Sequence, residues 1–185
     1  MKYEPTLNNF IPWQPSTWPG ITAYNLEFSL TLNRIIKETM LDEISNVISD
    51  ANKVNGGLTH RGHVIILAML CAVDSIASYA FTGSVGNRYG NFIKYYFPSN
   101  YKPFAEDIYK LYRNSSVHSW NLFEVAITPG DEPININGNS LSFGLINFFD
   151  ALIIAVNNYL ADLKSNKILQ NISLNRYSKL KNSAI

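Results

Sequence analysis

The chain has 185 residues, of which 46% are hydrophobic and only 16% charged, and its formal net charge is +1. That length suits one domain with a sizeable core, and the apolar balance excludes an intrinsically disordered chain. The near-neutral total excludes the strong basic field of a dedicated duplex-DNA binder, and the single cysteine, Cys71, excludes an internal disulfide.

Residues 1–25 carry Pro5, Pro12, Pro15 and Pro19 together with Trp13 and Trp18. Prolines favour an extended path and the indoles pin it to a surface, so this segment reads as an arm wrapping its own domain or a neighbouring subunit. Met1 to Phe10 holds Glu4 and Pro5 and lacks the apolar run of a secretory leader, which makes the cytoplasm the expected location. From Leu26 to Ala51 the apolar residues follow a helical period, with Leu32, Ile35, Ile36, Met40, Ile44, Val47, Ile48 and Ala51 in one stripe. Asn55-Gly56-Gly57 stops it. His63 to Phe81 reads as a heavily buried second helix, with Cys71 as a small buried hydrophobe. Asp74, Ser75 and Ser78 interrupt this run, and Asn147 and Asp150 interrupt the later one, so neither reads as a membrane span.

Thr82 to Asn87 is turn-rich, and Arg88 to Phe97 is a short helix ended by Pro98. Asn100 to Arg113 reads as the next helix, with Pro103 early and Phe104, Ile108, Leu111 and Tyr112 as its apolar stripe. The period then changes. Leu122 to Thr128 and Ile134 to Phe143 alternate about Pro129-Gly130-Asp131-Glu132-Pro133, the pattern of a β-hairpin or an irregular β-like excursion. Gly144 to Lys164 returns to helix, and Ile168 to Leu180 adds a final short helix with a fraying polar tail. The expected organisation is an arm at 1–25, an all-α antiparallel bundle at 26–166 with a hairpin insertion at 122–143, and a C-terminal helix and tail at 167–185.

The chemistry concentrates in Tyr112-Arg113-Asn114-Ser115-Ser116-Val117-His118. Arg113 offers a permanent charge and a planar fork of donors suited to phosphate. His118 has the side chain best placed to move a proton near neutral pH. In one unbroken helix these two residues lie about 140° apart around the axis. Asn114, Ser115 and Ser116 favour caps and turns, so a helix break there, or a two-fold dimer, would bring the pair together. A purely structural alternative makes Arg113 a helix C-terminal cation and His118 a turn residue.

Arg113-Asn114 followed by His118, after Phe92-Ile93, Tyr96-Phe97-Pro98, Tyr101, Ile108-Tyr109 and Tyr112, resembles the HEPN superfamily over about residues 88–120. The resemblance implies a helical bundle that forms a homodimer with its motifs facing across a cleft. It implies a metal-independent endoribonuclease without cofactor, acting in a toxin–antitoxin, phage-defence or RNA-processing setting, with RNA as substrate and a possible antitoxin as partner. Arg113 and His118 then become catalytic, with Asn114 supporting them. The alternative within the same family is a non-catalytic module that binds nucleotide or RNA, or that serves dimerisation.

Other features carry less. Arg88, at a helix start, and Ser115 and Ser116, in the spacer, are candidate substrate contacts. His60 and His63 have a metal-compatible spacing but no evident third ligand, so no metal is expected. Asp74 and Asp150 sit in apolar helices and call for a cationic partner, with Arg88 and Arg113 as candidates. A cap, a solvent-facing edge or a structural ion pair accounts for them better than a role in orienting Arg113 or His118.

Overall fold

The computed structural model describes residues 28, 32, 34–54, 57–116, 125–137 and 140–183. The N-terminal arm, His118 and the start of the expected insertion at 122–124 lie outside the described residues. Six α-helices dominate: α1 (Glu43–Asn52), α2 (Gly57–Ala80), α3 (Val85–Tyr96), α4 (Ala105–Ser116), α5 (Leu145–Ser165) and α6 (Lys167–Ser183). The protein is an all-α helical bundle with one small sheet.

The first helical run departs from a simple period. Ile35–Asp42 is wound as a π-helix before α1 begins. Its wider turn places residues five apart on one face, so Ile36 and Leu41 are buried while Met40 is only half-buried. The ordinary period resumes in α1 with Ile44, Ile48 and Ala51 enclosed, and Val47 turns outward.

Helix α2 is the central strut and touches every other α-helix. Its exposed line of Val64, Ala68 and Cys71 is narrow, and Ile65, Ile66, Met69, Leu70, Val73, Ile76 and Ala77 are buried. It begins at Gly57, six residues before the expected start, so His60 as well as His63 belongs to its first turns. Its Arg61–Ala80 stretch is long and apolar enough to cross a membrane, but 56% of that window is buried inside the bundle.

Gly83, at φ 107°, makes the turn into α3, and Ser84 caps that helix by accepting from the Asn87 N–H. Pro98 ends it by forcing Phe97 into extended backbone. The Asn158 side-chain amide then donates to the Tyr96 carbonyl at 2.8 Å, tying the end of α3 to α5. Ser99–Phe104 is a 3-10 turn that contains Pro103, so α4 starts later than expected and runs on to Ser116.

A three-stranded sheet precedes α5: β1 (Val125–Thr128), β2 (Asn135–Asn137) and β3 (Ser140–Gly144), in the order β1-β3-β2. The hairpin is β2–β3, while β1 lies parallel to β3 with Val125 opposite Leu141. The 129–133 link therefore does not close a hairpin between the two alternating runs. Its carbonyls are used elsewhere: Glu132 O accepts from the Gly144 N–H at 2.9 Å and Gly130 O from the Ile146 N–H at 3.3 Å. The link thus satisfies the first free donors of α5. Asn166 does the same for α6, its side-chain oxygen accepting from the Ile168 and Leu169 N–H groups at 3.1 Å.

Candidate functional site

The last turns of α4 carry most of the residues singled out by their chemistry, and the local geometry starts with Tyr112. Its ring stacks on Tyr89 of α3 with centroids 5.1 Å apart and planes 12° from parallel. Its hydroxyl donates to the Asp74 carboxylate of α2 at 3.1 Å. Tyr89 is fully buried and donates in turn to the Leu70 carbonyl at 3.3 Å. One turn earlier, the Tyr109 ring lies against Gly86, where an added Cβ would stand 2.8 Å from the ring. A glycine is therefore what lets α3 and α4 approach this closely.

Burial pushes the Tyr112 phenol well above its ordinary value, and Asp74 adds to this through its charge and its hydrogen bond. Partial enclosure of its sulfur also raises the Cys71 thiol, with the Asp74 charge second. Cys71 itself is exposed, which corrects the expectation of a buried hydrophobe. It lines a shallow apolar groove between α1 and α2 with Val47, Val64 and Ala68.

Arg113, Asn114, Ser115 and Ser116 form the final turn of α4, one residue beyond this anchor. The helix stays intact through Ser116, so the break considered at Asn114 to Ser116 does not fall within those residues. Four consecutive helical positions spread around a whole turn. His118 lies outside the described residues.

Asp74 is half-buried, and its partner is the Tyr112 hydroxyl rather than the expected arginine. Its second oxygen is buried without a hydrogen-bond partner. Asp150 is exposed. Most of α5 is buried, Phe149, Leu152, Ile153 and Val156 among its residues, and positions 150, 154, 158 and 161 form an outward stripe. Among the described residues, no three of His, Cys, Asp and Glu gather to hold a metal.

Arg88 points elsewhere. Its guanidinium donates to the Gly83 carbonyl at 2.9 Å. It lines a pocket of about 310 Å³ with Ser78, Phe81, Thr82, Gly83, Ile172, Asn175, Arg176 and Lys179. Asn175, Arg176 and Lys179 lie on the expected C-terminal helix and were not singled out by their chemistry. The only signal in the sequence was the three-residue spacing of Arg176 and Lys179, which puts both on one helix face.

The fold defines a helical bundle in which α2 and the tyrosine-rich α3–α4 pair support the end of α4. No protein-family model, curated protein or solved structure matches this chain.

Proposed function

We propose that this protein is a metal-independent endoribonuclease of the HEPN type, working in the cytosol as a homodimer. The observation that carries the reading is the anchoring of α4: Tyr112, held by Asp74 and stacked on Tyr89, immediately precedes Arg113. A catalytic cation gains from a fixed backbone, because positioning done in advance costs nothing at the moment of reaction.

RNA supplies its own nucleophile, the 2′-hydroxyl beside the scissile phosphate. In this scheme that oxygen attacks phosphorus as its proton leaves to a base, and the bond to the 5′-oxygen breaks as that oxygen takes up a proton. His118 serves as general acid/base. Arg113 stabilises the charge that builds on the phosphorane. Asn114 orients the pair, and Ser115 and Ser116 contact the backbone. A two-fold partner contributes the second copy of the motif across a shared cleft. The products are a 2′,3′-cyclic phosphate and a 5′-hydroxyl end. A toxin neutralised by an antitoxin, or a phage-defence nuclease, is the setting this chemistry suits.

Purified protein is expected to cut single-stranded RNA in EDTA, and His118→Ala to stop the cutting with the helical circular dichroism unchanged. Cleavage that survives the substitution removes His118 from the mechanism.

A further inference from the structure

The pocket between the 81–84 turn, the start of α3 and α6 gathers three cations: Arg88, Arg176 and Lys179. No carboxylate is among its described lining residues, and no ion pair joins any of the three to an acid among the described residues. Three like charges around one concavity raise its positive potential and favour an anion between them.

The donors are held in place. Arg88 gives one terminal N–H to the Gly83 carbonyl at 2.9 Å, while its Nε is buried with no acceptor. Arg176 gives its Nε to Ser78 Oγ at 3.2 Å, and that hydroxyl is itself fixed on the Ser75 carbonyl at 2.7 Å. Thr82 and Asn175 also line the pocket, and Phe81 and Ile172 supply an apolar wall. Fixed guanidinium forks beside an apolar wall suit a phosphate joined to a small organic group. A volume of about 310 Å³ is at the lower end of what small-ligand sites use.

We infer that this pocket binds a small phosphate-bearing anion, a phosphate monoester of mononucleotide size or free phosphate. The inference does not rest on RNA cleavage, and its test does not read cleavage. Isothermal titration calorimetry with inorganic phosphate and, separately, with adenosine 5′-monophosphate distinguishes the two sources. Saturable binding of either probe supports the inference, and binding of neither overturns it. Arg176→Gln is expected to weaken binding by about tenfold or more, and the exposed Lys179→Gln by roughly threefold to tenfold. Lys94→Gln, outside the pocket, is the control. Lys179→Gln keeps the test sound if Arg176→Gln disturbs packing at Ser78. Affinity that is undiminished in both folded variants places the anion elsewhere, the Arg113 region included, and ends the proposal.

Discussion

Tyr112 joins three helices through one side chain. The ring belongs to the stack with Tyr89, and the hydroxyl belongs to Asp74. The two contributions separate in Tyr112→Phe, which keeps the ring and removes the donor. A hydrogen bond to a carboxylate is worth about 1.5–3 kcal/mol, and partial solvent access places this one toward the lower figure. Urea denaturation of Tyr112→Phe is therefore expected to show a loss of about 1.5 kcal/mol. If the protein cleaves RNA as proposed and Tyr112 positions Arg113, the same variant is expected to cut with a lower kcat and little change in KM, since substrate contacts remain. A variant as stable as the parent would mean that Asp74 finds equal stabilisation from water.

At the scale of elements, the junction between the 129–133 link and α5 has no room to spare. A Cβ added at Gly144 would stand 2.5 Å from Gly130 O and 2.7 Å from Glu132 N, both backbone atoms that cannot swing aside. Gly144→Ala must push the link off the first turn of α5 and break its two bonds there. The expected cost is about 2–3 kcal/mol, the upper part of the range for overpacking. Gly90, inside α3, is the contrasting case, because nothing lies within 4 Å of its added Cβ. Gly90→Ala is expected to stabilise the protein by about 0.5–1 kcal/mol through helix propensity. Denaturant midpoints that move in the same direction for both variants would contradict this picture.

That junction also shows what a sequence can and cannot disclose. Helices α3 and α4 are legible, since Tyr89, Phe92, Ile93 and Tyr96, then Ile108, Leu111 and Tyr112, repeat at the helical period. The π-helix is not, because Ile36 and Leu41 share a face only if the turn is already known to be wide. The parallel pairing of β1 with β3 is equally silent: alternation marks strands but not their neighbours. The need of Asp74 for a partner is legible, but the choice of Tyr112 over an arginine depends on how α2 and α4 cross. The basic pocket was invisible because Arg88 and Arg176 lie 88 positions apart, and only the docking of α6 on α2 brings them together.

At the scale of the whole molecule, a largely aliphatic core encloses several phenols. Tyr89 and Tyr159 are fully enclosed, and Tyr159 shares a hydrogen bond of 2.9 Å with the buried Ser173, which donates onward to the Tyr79 carbonyl at 2.8 Å. That chain of bonds links α5, α6 and α2 through otherwise apolar packing. Burial pushes Tyr89, Tyr96, Tyr112 and Tyr159 well above the ordinary phenol value, and it pushes Tyr101 up to about 12, with the Asp150 charge as a second cause. The sign of the pH dependence follows. Below about pH 10 both folded and unfolded chains keep these protons, so the phenols leave stability independent of pH. Above it the unfolded chain ionises while the folded chain does not, and stability falls as pH rises toward the folded values. Each fully enclosed phenol, Tyr89 and Tyr159, then removes about 1.4 kcal/mol per pH unit. A total stability of about 5–15 kcal/mol does not survive many such increments. Cooperative alkaline unfolding is therefore expected between about pH 10 and pH 12. Ultraviolet titration with circular dichroism in parallel is expected to show one class of phenols ionising near the ordinary value and a second class appearing only as the helices melt. If all 11 tyrosines titrated together with the helices intact, the phenols would not be part of a sealed core.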